Sequence, residues 1–131
     1  MSPLVMERLA QALLVIVGLV NLLPLLGVLG TARLHQLYGI DIAGDSLALL
    51  MRHRAVLLAL VGAGLLWAAA QADVRLPLIV AAVASKLSFI ILWRAHAPTT
   101  AQIDRVAWID VAALVVLAIV VALRYATRAA R

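Results

Sequence analysis

The chain has 131 residues, 66% of them hydrophobic and only 13% charged, with a formal net charge of +5 and no cysteine. Ordinary soluble domains are roughly 45–50% apolar and about 25% charged, so a soluble fold of this size could not hide this much apolar surface, and lipid must solvate it. The missing cysteines exclude disulfides, thiolate metal sites, thiol redox relays and c-type haem attachment, and the scattered basic residues read as membrane flanks facing anionic lipid, with no nucleic-acid patch.

A membrane-spanning helix needs about 20 apolar residues, within a range of roughly 17–25, and four runs qualify. The first covers residues 9–29, interrupted by Asn21 and Pro24. Pro24 removes a backbone hydrogen bond and predicts a bend near the far end. A cleaved signal peptide would have an apolar core of roughly 7–15 residues. Val28 and Gly30 imitate a cleavage site, but the run is longer and Glu7 weakens the positive flank. A retained span is expected.

Next comes a connection with its own pattern. Thr31 is placed to cap a short helix whose Leu34, Leu37 and Tyr38 share one face, with Gly39 ending it. Ile40 and Ile42 extend the apolar character. Such a segment lies along the membrane interface as an anchor, or folds over the mouth of the helices as a lid made by Leu34, Leu37 and Tyr38.

The second span has its membrane part at residues 55–71. Its helix is expected to start near Ser46, behind the capping sequence Gly44-Asp45-Ser46. Arg52, His53 and Arg54 then lie inside the helix and not in a loop. The third span covers residues 76–93, with Pro77 suited to a first helical turn. The fourth covers residues 106–123, and Thr99 with Gln102 resembles a capping box that starts its helix earlier. The predicted fold is all-α: an integral membrane antiparallel four-helix bundle, one membrane domain over residues 1–131, with a short interfacial helix between spans one and two.

Basic residues outside the hydrocarbon divide evenly. Arg8, Arg75, Arg124, Arg128 and Arg131 fall on one side, and Arg33, Arg52, Arg54, Arg94 and Arg105 on the other. The positive-inside rule is therefore undecided. The C-terminal tail has no acid, whereas Asp41, Asp45 and Asp104 lie on the other side. The expectation is a bacterial inner membrane protein with both termini cytoplasmic.

The run LPLIVAAVASKLSFIILW carries Lys86 near its centre. At 1.5 Å rise per residue, Lys86 lies roughly 10 Å, Asn21 roughly 12 Å and Asp110 roughly 6 Å below one and the same surface. Arg52, His53 and Arg54 enter from that surface too. Apart from Gln11, every strongly polar group in or bordering the spans maps to this half, and the opposite half is expected to be almost wholly apolar. A lysine at a membrane helix centre costs about 2.5–3.5 kcal/mol on insertion scales, so such groups face inward and pair. The lysine stem can carry its ammonium toward the interface, where Asp110 waits on the neighbouring helix. A Lys86–Asp110 pair is expected, with Asn21 or an arginine of span two as third member. Such a network either fixes helix register or forms a site for a substrate, a proton or a quinone.

His35, His53 and His96 fall on the same side but have no ligand spacing, and no metal site is expected. Trp93 and Trp108 suit an aromatic belt on that surface, and Tyr125 one on the other. Gly62, Gly64, Ala68 and the Ala81/Ser85 pair offer small surfaces for close helix contact. No phosphate-binding loop, nucleophile elbow or zinc-protease helix occurs, so no enzyme activity and no cofactor are expected.

Asn21 and Pro24 in the first span, LYGIDIAGD at residues 37–45 and LLMRHRA opening the second helix together resemble small four-span bacterial membrane proteins of the DoxX-like kind. The chain looks closest to a proteobacterial group of this length, some members of which carry the label phosphopantetheine adenylyltransferase. That enzyme is soluble, and its phosphate-binding histidine motif has no counterpart here. The resemblance implies a four-helix membrane bundle, sometimes associated with redox or quinone-linked systems, although the cysteines of redox-active relatives are missing. The expected function is a non-enzymatic subunit or assembly factor of an inner-membrane complex, with lipid and a membrane-protein partner or a second copy around it. The alternative is a transporter or binder of a lipophilic, quinone-like ligand. Small four-span exporters use an acidic residue within the first span, where this chain has Asn21.

Overall fold

A computed structural model describes residues 1–129; Arg131, counted above in the basic tail, lies outside them. The described residues contain helices and no strand: α1 (Pro3–Leu22), a 3-10 segment (Leu23–Leu29), α2 (Thr31–Tyr38), α3 (Asp45–Ala70), α4 (Arg75–Ala95) and α5 (Ala101–Ala129). Four helical stretches are long and apolar enough to cross a membrane, the first being α1 together with the 3-10 segment.

The local chemistry explains each boundary. Ser2 caps α1 by accepting from the Val5 N–H, and Pro3 takes the first turn, where its missing donor costs nothing. The α-helix ends at Leu22, just before Pro24, and continues as a 3-10 helix to Leu29. The effect of Pro24 is thus a change of helix type. Gly30, not Thr31, occupies the cap position of α2, and Thr31 is its first helical residue. Gly39 ends α2 at φ 64°, a left-handed conformation that glycine adopts without cost. The α3 helix begins at Asp45 and has 26 residues, which places Arg52, His53 and Arg54 within it as expected. Pro77 falls in the first turn of α4. The capping of α5 shifts by one position: Thr100 accepts from the Ile103 N–H, while Thr99 donates instead to the Asp104 carboxylate.

α1 packs against α3 and α5, and α4 packs against the same two, so the long helices contact one another in the cyclic order α1, α3, α4, α5. The core between them is built from Ala10, Leu14 and Val17 of α1, Leu65 and Ala68 of α3, Ile79 and Ala82 of α4, and Ala113, Leu117 and Val120 of α5. No more than 28% of any apolar window is buried among the described residues, so most apolar side chains point outward. Water would penalise that surface by about 25 cal/mol for each Å² exposed. A lipid environment removes the penalty.

Small residues act where two backbones touch. A Cβ at Gly62 would stand 2.7 Å from the Gly18 carbonyl oxygen and 3.1 Å from the Asn21 Cβ. Because the first obstacle is backbone, it cannot swing aside. Gly62→Ala is therefore expected to force α1 and α3 apart and lower stability by about 1–3 kcal/mol, read as a fall in the thermal midpoint in detergent. Ala68 is buried as expected for a contact residue. Ala81 is exposed, however, and makes no close contact face.

Candidate functional site

The inward stripe of α4 reads Arg75, Ile79, Ala82 and Lys86, all buried. Steps of four, three and four residues keep them on one helical face. Position 86 on that face puts the lysine against α1 and α5. Its Nζ donates to the Asp110 Oδ1 at 2.6 Å and to the Asn21 Oδ1 at 3.2 Å. Lys86 is 3% exposed and the Asp110 side chain 16%. Asn21 is held in place by its own helix, its Nδ2 donating to the Val17 carbonyl at 2.8 Å. Three helices therefore meet in one hydrogen-bonded, formally neutral group.

Of the span-two turn, only Arg54 faces the same space as this group, and its own hydrogen bond goes elsewhere. Arg54 donates to the Tyr38 hydroxyl at 2.7 Å and lies over the rings of Tyr38 and Phe89, 5.1 Å from each centroid. His53 is exposed, and Arg52 faces a separate depression beside Thr31, Ile42 and Asp45. The three do not cluster because of helical phase: successive helical residues are rotated by about 100°, so Arg54 facing inward turns its two predecessors away.

Asn21, Lys86, Asp110 and Arg54 line one cavity of about 360 Å³. The remaining wall is mainly apolar, with Pro24, Leu57, Leu58, Val61, Phe89 and Ile109 among its residues. Ligand pockets span roughly 300–1,000 Å³ and combine an apolar lining with a few convergent polar groups. α2 closes part of this cavity through Leu37 and Tyr38, whereas Leu34, fully buried, anchors the helix beneath. The Thr100 hydroxyl donates to the Tyr38 carbonyl at 2.5 Å and ties α2 to the start of α5. Gly39 packs on the Gln102 side chain at the same junction.

Trp93 is more than a belt residue. Its Nε1–H donates to Asp104 at 2.8 Å and to Thr99 at 3.1 Å, fixing the turn between α4 and α5. Its ring meets Trp108 edge to face, with centroids 6.2 Å apart. The three histidines stay apart: His35 bonds toward Ile40 and Asp41, and His96 toward the Leu92 carbonyl. Among the described residues, no three acidic or histidine side chains lie together.

The expectation of an apolar opposite half is overturned by a second charged group. Arg75, 2% exposed, donates through both terminal nitrogens to the Glu7 carboxylate, at 2.8 and 3.1 Å. Its Nε donates to the Ala68 carbonyl at 2.9 Å, near the open C-terminal end of α3. Arg75, expected among the basic residues outside the hydrocarbon, is buried in this ion pair. A signal existed: Glu7 shares the helical stripe of Ala10, Leu14 and Asn21, and Arg75 that of Lys86.

No family model, curated protein or solved structure matches the chain.

Proposed function

We propose that this chain is a multi-pass protein of a bacterial inner membrane, an antiparallel four-helix bundle that binds a lipophilic small molecule and catalyses no reaction. The carrying observation is the cavity of about 360 Å³, apolar along most of its wall, with Asn21, Lys86, Asp110 and Arg54 converging on it. A group that only braced helices needs no cavity beside it. The cavity therefore favours the binder over the subunit or assembly factor, and α2 serves as its lid.

Native mass spectrometry after gentle extraction tests this. A small molecule should stay with the wild-type chain and be absent from Leu58→Trp, whose indole would fill the cavity. Retention of a stoichiometric protein partner with no small molecule would favour the subunit reading instead. Orientation has its own test. Reporter fusions at the C-terminus and within residues 31–45 should give opposite signals, cytoplasmic for the former. A periplasmic C-terminus would reverse the orientation and leave the bundle intact.

A further inference from the structure

Two cations line the cavity, and they differ in one respect. Lys86 is neutralised by Asp110 at 2.6 Å. Arg54 is not: among the described residues no carboxylate lies within ion-pair distance of it, and its one hydrogen bond is to the neutral Tyr38 hydroxyl. A guanidinium has five N–H donors and stays charged at any physiological pH. The rings of Tyr38 and Phe89 cover part of the group and restrain its plane. The donor edges keep unused capacity. Arg54 is only half-buried, and the chain around it supplies a hydroxyl and two rings but no counter-charge.

Resting on the ligand-binding reading above, we infer that the cavity selects an amphiphile with one apolar chain and a single anionic head, a carboxylate or a phosphate, seated on Arg54. The formal charges lining the cavity sum to plus one, which one anionic head cancels. The apolar chain runs along Leu57, Leu58, Val61 and Ile109, which supply wall but no hydrogen bonds. A neutral quinone would leave the Arg54 charge uncompensated in a low-dielectric wall, where charge-assisted hydrogen bonds are the stronger kind. The volume sits at the low end of the ligand-pocket range and suits one chain better than the two of a phospholipid.

The full chain in nanodiscs of phosphatidylcholine, titrated with four probes sharing a twelve-carbon chain, tests the inference. Dodecanoate and dodecyl phosphate should bind about tenfold or more tighter than dodecanol, and dodecyltrimethylammonium should bind weakest. Arg54→Gln should erase the preference for dodecanoate over dodecanol, and Arg54→Lys should keep most of it. Thermal midpoints of both variants report whether the lid still folds. Competition by lysophosphatidylglycerol, a single-chain anionic lipid, would identify the bilayer as the source of the anion, and its absence would point to a free single-chain acid. Equal affinity for dodecanol and dodecanoate, or a preference that survives Arg54→Gln in a folded protein, would overturn the anionic class and leave the binder reading standing. Failure of all four probes would overturn both.

Discussion

Lys86→Met and Asp110→Asn should each lower the thermal midpoint in detergent, and the double variant should recover part of the loss. Lys86 is 3% exposed, and among the described residues its hydrogen-bond acceptors are Asp110 and Asn21. Severing a buried pair typically costs 3–5 kcal/mol because one charge is stranded, whereas removing both charges can be neutral or better. The Asp110 side chain, at 16% exposed, can draw some compensation through the cavity, which places Lys86→Met at the low end, about 3 kcal/mol. Asp110→Asn keeps an acceptor but leaves the ammonium, 3% exposed, without its counter-charge and with the Arg54 cation lining the same cavity. Interhelical polar contacts in membranes can average as little as about 0.6 kcal/mol, because the unfolded chain in lipid also finds partners. The burial of Lys86 argues for the larger figure. Silent single variants with simply additive effects would mean the two groups are uncoupled. Unchanged stability with loss of a retained ligand would make the group a binding element and not a brace.

The Lys86–Asp110–Asn21 group was legible because depth along a helix follows from residue count alone. Rise per residue is nearly constant, so three polar residues at comparable depth below one surface must face one another or pay for hydrocarbon. Azimuth is harder to read. Arg52, His53 and Arg54 share a depth, and only the packing of α3 against α1 and α4 decides that Arg54 faces the cavity. The Glu7–Arg75 pair escaped for a different reason. Charges at helix ends usually reach water, and nothing in a loop sequence says that the open carbonyls of a preceding helix will recruit one of them. Its helical phase was readable, since Arg75 precedes Lys86 by eleven positions on the same stripe. The caps of α2 and α5 moved by one residue, within the ordinary ambiguity between adjacent glycine and threonine or between two successive threonines. The cavity itself was not legible, because an empty volume depends on how side chains from every element stop short of one another.

The inward faces also share a layout that makes the far end as demanding as the near one. α1 carries the half-buried Glu7 and the buried Asn21 at the two ends of its inward stripe, and α4 carries the buried Arg75 and Lys86 at the two ends of its own. Between them lies only apolar packing. Each polar group joins α4 to α1, which are not neighbours in the contact cycle, so together they set the register of the two helices across the core.

Arg75→Met should therefore be among the most damaging single changes in the chain. The substitution removes two hydrogen bonds to Glu7, one to the Ala68 carbonyl and a longer one to the Ala69 carbonyl at once. It leaves the Glu7 carboxylate without its guanidinium, and it uncovers carbonyls at the C-terminal end of α3, where no further turn can satisfy them. Glu7 is 35% exposed on its side chain, so water offsets part of the stranded charge, and the expected loss is about 3 kcal/mol, not the top of the 3–5 kcal/mol range. The informative companion is Arg75→Lys. A lysine keeps the charge but has no planar fork, and it cannot reach two carboxylate oxygens and a backbone carbonyl together. If geometry holds this end, Arg75→Lys should lose most of what Arg75→Met loses, and Glu7→Gln, which leaves the buried guanidinium without its counter-charge, should lose about as much. Thermal midpoints of the three variants in one detergent decide it. A lysine that restores near wild-type stability would mean that charge alone matters there, and that the fork and the Ala68 carbonyl contribute little.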